Sequence, residues 1–356
     1  MGDALRIGLV GIGNISRQYL DTLPRLPGVA LVAAADLDPA RTVPDVRMLR
    51  PAELYAADDV DLVLNLTIPQ AHAEVALSAI AAGKHVYSEK PLALSTVEGR
   101  AVLTAAAEAG VLVGCAPDTV LGTGTQTARH WLDDGAIGTP VAATAFMVTP
   151  GHERWHPDPE FYYRPGGGPL FDMGPYYLSS LVTLLGPVRR VAGLASTPRA
   201  ARVIESGPRA GTEFPVDVRT HVAGVLAHEN GAVTTLMMSF DVWAADLPRI
   251  EVYGTAGSLS VPDPNDFDGE VRVYRPEDGW TGVPPTAGHR NAGRGTGVAD
   301  LAAALTTNTE HRANGTLAYH VLDIMESLLR AAETGQTQDI ESTTPRPPPV
   351  PNPHDR

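Results

Sequence analysis

Leu5-Arg6-Ile7-Gly8-Leu9-Val10-Gly11-Ile12-Gly13-Asn14-Ile15-Ser16 begins with a short apolar run, passes through two glycines one residue apart, and enters an amphipathic segment reaching Leu26. Strand, glycine turn, helix is the context that gives a G-x-G-x-x-small pattern meaning. Gly11 permits the tight turn, Gly13 lets the backbone approach a pyrophosphate, and Ser16 stands where a small residue packs helix on strand. The helix start adds free amides and a positive dipole end. Taken alone, the pattern fits an ordinary turn equally well.

The next strand favours the nucleotide reading. Val29 to Ala35 is almost wholly apolar, as a parallel strand buried on both faces should be. It ends in Asp36-Leu37-Asp38, and a carboxylate at that place accepts both hydroxyls of an adenosine ribose while repelling a 2′-phosphate. NAD is therefore expected, with Arg41 leaving room for NADP. A helix near Pro51 to Ala57, a strand from Asp61 to Leu66, a helix from Gln70 to Ala82 and a strand entering Tyr87-Ser88-Glu89-Lys90-Pro91 follow. A helix over Thr96 to Ala109 and a strand over Val111 to Cys115 complete the alternation. That order predicts an α/β fold with a doubly wound parallel sheet, whose ligands lie outside the carboxyl ends of the strands. Gly11 to Ser16, Thr67 to His72 and Glu89 to Pro91 should face one crevice. Proline holds Lys90 out of the helical region, so Lys90 is either a surface residue by accident or a placed charge.

Composition sets the limits. At 356 residues two domains are expected, divided as 1–120, 121–344 and a proline-rich tail, 345–356, that should be extended or disordered. A net charge of −14 with no basic cluster argues against nucleic acid and acidic membranes as partners. One cysteine, Cys115, leaves no internal disulfide. The amino terminus, Met1 to Arg6, has no leader pattern and no apolar run is long enough to span a bilayer, so a cytoplasmic protein is expected.

In the second half, strand-like segments recur at Val188 to Leu194, Val216 to Ala227, Ala232 to Phe240, Ile250 to Tyr253, Ser258 to Val261 and Val271 to Tyr274. They predict a large open, mainly antiparallel sheet with one broad face available to a second copy, as homodimer or homotetramer. Gly151-His152-Glu153-Arg154-Trp155-His156 matches the H-E-x-x-H metal pattern, but that pattern needs a helix, and Pro150, Pro157 and Pro159 crowd it. No metal is expected. As a loop, His152 to Arg164 gathers Arg154, Trp155, His156, Phe161, Tyr162 and Tyr163, which suit the C–H face and hydroxyls of a sugar or pack on one another. A helix starting near Asp172 puts Asp172 and Tyr176 one turn apart on one face. On spacing alone they read as a helix-terminal charge and a core tyrosine. Gly293-Arg294-Gly295-Thr296-Gly297 has the look of a phosphate loop but follows no expected strand, so that reading is rejected.

The chain resembles the Gfo/Idh/MocA family, the glucose–fructose oxidoreductase and inositol dehydrogenase group. The resemblance rests on Gly11-Ile12-Gly13-Asn14-Ile15, on Thr67-Ile68-Pro69 with His72, on Glu89-Lys90-Pro91, and on Gly166 to Tyr176 against G-G-G-x-L-x-D-x-G-x-H. It spans nearly the whole chain. It implies an amino-terminal Rossmann domain, a carboxyl-terminal α/β domain with an open sheet, tightly held NAD(P), and a sugar, glycoside or cyclitol as substrate. Carried over by position, it implies Lys90, Asp172 and Tyr176 as catalytic residues. It implies Gly11, Gly13, Asn14, Ile15, Asp36, Thr67, Pro69, His72, Glu89 and Lys90 at the cofactor. Asp118, Arg154, Trp155, His156, Tyr162, Asp172 and Tyr176 are the candidates at the substrate. Tyr176 stands where the family pattern has histidine, which puts inositol dehydrogenase itself in doubt.

The expected chemistry is reversible hydride transfer between NAD and a secondary alcohol, with Tyr176 and Lys90 sharing the proton and each lowering the other's pKa. Two alternatives stand beside it: an NAD-dependent glycosidase working through transient oxidation with the same residues, and a non-catalytic NAD-sensing regulator, which would leave Lys90, Asp172 and Tyr176 unexplained.

Overall fold

The structure, a computed structural model, describes residues 4–350. Met1–Asp3 and the tail residues 351–356 lie outside the described residues. The first sheet holds β1 (Leu5–Val10), β2 (Val29–Ala35), β3 (Arg47–Leu49), β4 (Leu62–Asn65), β5 (His85–Ser88) and β6 (Val113–Cys115). They pair in the order β3-β2-β1-β4-β5-β6, all parallel. Helices α1 (Ser16–Thr22), α2 (Pro51–Ala56), α3 (His72–Ala81) and α4 (Thr96–Ala109) connect them. Leu54, Ala76, Ile80, Val102 and Ala106 from α2, α3 and α4 cover one face. Tyr19 from α1 covers the other, joined by Val298 and Leu301 from α7 (Thr296–Thr307), far along the chain. The order reverses between β1 and β4, and that switch point is where a doubly wound sheet opens its crevice.

The second sheet is built from β7 (Pro140–Val148), β8 (Val188–Ser196), β11 (His221–His228), β12 (Val233–Ser239), β13 (Ile250–Gly254), β14 (Ser258–Val261), β15 (Val271–Arg275), β16 (Gly279–Val283) and β17 (Gln338–Asp339). A small ribbon of β9 (Ala201–Val203) and β10 (Glu213–Pro215) stands apart. All neighbours in the large sheet are antiparallel except β7 with β12. The stretch expected as one strand from Val216 to Ala227 is shortened at its start. Val216 and Asp217 donate their amides to Ala200 and Tyr163, so pairing along β11 begins only at His221.

Helices α5 (Thr123–Asp133), α6 (Gly168–Leu185) and α8 (Gly315–Thr334) cover one face of this sheet. The α8 helix belongs to both halves. Tyr319 packs with the first-half core, while Leu322, Ile324, Met325 and Leu328 enter the second. Its close approach has a sequence cause: Gly193 and Gly224 face each other across β8 and β11, and Leu328 lies over them. A Cβ on Gly224 would stand 2.6 Å from Leu328 Cδ2. The described part of the tail is not a free end. Pro347 accepts from Arg129, Val350 donates to Gln126, and Val350 packs on Val120 and Leu121. No helix among the described residues is long and apolar enough to cross a membrane.

Leu328→Ala should lower the unfolding free energy by about 3 kcal/mol, because the trough keeps its shape when its occupant shrinks. Gly224→Ala should also destabilise, and the double variant should lose less than the sum, since the new methyl enters the vacated space. Denaturant titration of the three proteins reads this coupling.

Candidate active site

Glycine geometry defines the cofactor side. Gly11 sits at φ 98°, and a Cβ there would meet the Leu66 carbonyl group at 2.7 Å. Gly13 differs, since a Cβ there would meet nothing within 4 Å. The Gly13 and Asn14 amides have no acceptor among the described residues. Asp36 ties this loop to the second strand, accepting from the Ile12 amide at 2.7 Å and the Asp38 amide at 2.9 Å. A carboxylate still has acceptor capacity after two such bonds. The loop therefore has the open approach, free donors and neighbouring acceptor that an adenosine diphosphate moiety requires. Arg41 stands 3.8 Å from Asp36, half-exposed.

Two other strand ends are braced by buried polar contacts. His72 is fully buried, with Nδ1 2.6 Å from the Pro91 carbonyl oxygen and Nε2 3.0 Å from that of Thr67. It clamps the Thr67–Pro69 turn to the Lys90–Pro91 turn and offers no ring nitrogen to a cofactor. Thr67 Oγ1 donates to Asn65 at 2.6 Å, and Pro69 starts the short turn before α3. Glu89 is buried and accepts from Tyr19 of α1 at 2.8 Å and from the Lys90 amide at 3.0 Å.

Across the crevice, the α6 helix begins at Gly168, four residues before the expected start. Lys90 Nζ reaches it, donating to the Asp172 carbonyl oxygen at 2.5 Å and to Oδ1 at 2.8 Å. Tyr176 lies one turn on, its ring centre 5.2 Å from Lys90 Nζ. Tyr162 completes this side, and its hydroxyl is pushed up to about 12 by burial and then by Asp172.

Two residues join that sequence reading passed over as site residues. His152 Nε2 lies 3.0 Å from Asp172 Oδ2, so the carboxylate is held on both oxygens. The signal was the first histidine of the H-E-x-x-H pattern, which folds as a single 3₁₀ turn, His152–Arg154. That turn is anchored beneath by buried Glu153, which pairs with Arg202 at 2.7 Å and accepts from the Tyr163 hydroxyl. The other is Arg294, donating to the Tyr176 hydroxyl at 3.2 Å.

Several candidates point elsewhere. Asp118 is fully buried, and its Oδ2 accepts from the Gly295 amide at 2.8 Å and the Gly297 amide at 3.0 Å, capping α7. Arg154 pairs with Glu205 at 3.0 Å and stacks over Trp243. His156 takes the Asp158 amide at 3.0 Å. Trp155, 59% exposed, edges against His152 at the rim.

The electrostatics depart from the expectation of mutual lowering. Burial pulls the Lys90 ammonium down, but Asp172 and Tyr176 outweigh it and the net direction is up. Burial pushes Asp172 up, yet Lys90 and His152 overcome it and hold the carboxyl far below its usual range. For Tyr176 burial dominates, so its hydroxyl is raised even though Lys90 and Arg294 act to lower it. The contact with Asp172 thus favours the charged form of Lys90.

Lys90→Met should cost on the order of 3 kcal/mol at neutral pH, because it strands a buried carboxylate. The depressed Asp172 contributes stability above the unfolded carboxyl value near about pH 4, and that contribution fades as pH falls through its folded value. The gap between wild type and variant should therefore shrink below about pH 4 in denaturant titrations.

Comparisons with known proteins give the family. The description "Oxidoreductase family, NAD-binding Rossmann fold" matches residues 5–116, and the GFO/IDH/MocA C-terminal domain matches residues 125–260. The 1,5-anhydro-D-fructose reductase of Ensifer adhaerens is 30% identical over 273 residues, 71% of this chain and 74% of its own. Inositol 2-dehydrogenase of Klebsiella pneumoniae (strain 342) is 35% identical over 152 residues, 39% of this chain and 44% of that one. The solved structure of levoglucosan dehydrogenase with NADH and L-sorbose shares the fold at a TM-score of 0.81 and 21% identity, covering 96% of this chain and 100% of that one. The chain belongs to the Gfo/Idh/MocA oxidoreductase family and carries its NAD-binding Rossmann domain.

Proposed function

We propose that the protein oxidises a secondary alcohol of a sugar, glycoside or cyclitol, reversibly, with NAD as hydride acceptor. The observation that carries this reading is the meeting of Lys90, from the carboxyl end of β5, with Asp172 and Tyr176 on α6. The names of the relatives, an anhydrofructose reductase and an inositol dehydrogenase, support the substrate class. Asp36 at the end of β2 favours NAD over its 2′-phosphate, with Arg41 the residue that would accommodate the latter.

Bound NAD supplies one function, taking the hydride that leaves the alcohol carbon. The residues of the chain handle the rest. Lys90 spends two of its three donors on Asp172, which leaves one for the substrate oxygen. Its fixed positive charge stabilises the negative charge that develops on that oxygen as the carbonyl forms. Tyr176 is the proton acceptor in this reading, and Lys90 and Arg294 act against burial to favour the phenolate it needs. Asp172, held by Lys90 and His152, keeps both in register. Tyr162 and Trp155 line the outer side with ring surface suited to sugar C–H groups.

The outer face of the second sheet offers the assembly surface. Register places Leu194, Ala223, Met237 and Phe146 side by side across β8, β11, β12 and β7. Val225 and Val233 flank them, and Tyr274 pairs with Trp280 at the far edge. We propose a homodimer, or a tetramer built from it, through this face.

Tyr176→Phe should lose at least about 10²-fold in turnover while still releasing its dinucleotide on denaturation, the loss expected for removal of a general base. The check is a screen of sugars, cyclitols and glycosides for NADH formation, with aglycone release followed in parallel. Full turnover in Tyr176→Phe would remove the assignment. Leu194→Glu should convert the oligomer to monomer in light scattering, and an unchanged mass would exclude that face.

A further inference from the structure

The glycine-rich loop 293–297 is not explained by cofactor binding. Its glycines have steric reasons instead. A Cβ on Gly293 would stand 2.6 Å from Thr22 Oγ1, Gly295 sits at φ 103°, and a Cβ on Gly297 would overlap the Tyr87 hydroxyl. The loop is pressed against α1 and β5, and Asp118 fastens it there by the Gly295 and Gly297 amides. What the loop carries in is one side chain. Arg294, only 8% exposed, reaches the Tyr176 hydroxyl from Nη2 at 3.2 Å, and the same nitrogen donates to Asn265 Oδ1 at 2.9 Å.

We propose that Arg294 is a positioning residue for the reaction, acting through the Tyr176 hydroxyl. This rests on the reading of Tyr176 as proton acceptor. The guanidinium carbon lies 5.1 Å from the centre of the Tyr176 ring and Lys90 Nζ 5.2 Å, so two fixed cations attend one buried phenol. A phenol that accepts a proton must first exist as an anion, and burial opposes that anion. Lys90 cannot offset burial alone, since its charge is already shared with Asp172. The second cation supplies a hydrogen bond that strengthens when the phenol is ionised.

A purely structural arginine would be expected to saturate its donors on a carboxylate. Arg294 does not. Its Nη1 has no hydrogen-bond acceptor among the described residues, nor has Asp118 Oδ1 a donor, and the two atoms stand 3.8 Å apart. The guanidinium hydrogen-bonds Tyr176 and Asn265 through Nη2 while its Nη1 stands off from Asp118. The other ionisable groups acting on Tyr176 are Glu89 and Asp172, which oppose the phenolate, and Tyr162, which feels Tyr176 in return. The surroundings thus set burial and two carboxylates against two cations.

The titration requires no substrate. Full-length protein labelled at tyrosine Cζ is titrated by NMR, and the resonance missing from Tyr176→Phe identifies the phenol. Arg294→Gln should raise the pH at which that resonance titrates by about one unit or more, the effect of removing an opposite charge at this range. Arg294→Lys, which keeps a charge but loses the planar fork, should give a smaller rise and stands in if the Gln variant does not fold. An unchanged midpoint, or a Tyr176 resonance that stays protonated until the wild-type protein unfolds, overturns the proposal. If Tyr176→Phe is inactive and Arg294→Gln leaves the midpoint alone, only the arginine role falls. If Tyr176→Phe turns over normally, the proton-acceptor reading falls, whatever the titration shows.

Discussion

The buried contact between Lys90 and Asp172 is the constraint on which the crevice depends. It joins a sheet edge in one half to a helix in the other, with both side chains mostly removed from solvent. Ion pairs so placed return little net stability, because desolvation consumes most of the attraction. Their worth lies in position. The lysine would be costly there without the carboxylate, and the carboxylate without the lysine. Each therefore enforces the approach of the half that carries the other. Supports converge on the pair from behind: Glu89 and His72 brace the lysine turn, and His152 with its buried Glu153–Arg202 anchor braces the aspartate.

Acid–base character follows from that placement. Asp172 is anionic because two donors hold it, and Lys90 is cationic because Asp172 holds it. Their contact favours the charged form of each. The hydroxyls nearest them belong to Tyr176 and Tyr162, and burial favours the neutral form of both. In the proposed mechanism, charge-holding and proton-handling fall to different side chains.

The first sheet was legible because parallel strands buried on both faces are almost continuous apolar runs, as in Val29–Ala35 and Leu62–Asn65. Where that signal thins, so does the reading: β3 has three residues at the sheet edge, and Val216 and Asp217 look strand-like but give their amides to Ala200 and Tyr163. Lys90 was marked by the proline after it, while helical spacing put Asp172 and Tyr176 on one face and only the family resemblance marked them as site residues. His152 and Arg294 were not legible as partners of those residues. One contacts Asp172 across 20 residues and the other Tyr176 across 118, each on an irregular loop whose path only tertiary packing decides. The expected roles of His72 and Asp118 met a related difficulty. A polar residue at a strand end can face the crevice or brace it, and the sequence pattern is the same in both cases.

The chain passes from the first half to the second after β6, returns between β16 and α7, and crosses once more along α8, which packs in both cores. A body connected in this way has no single hinge. Any opening would have to bend a continuous helix or lift Leu328 from its glycine trough, so relative motion of the halves is spread thinly over several joints. The distance from the glycine turn to α6 is thereby a property of the folded chain, set before any ligand arrives. The shape of the crevice is thus tied to how the two cores pack together.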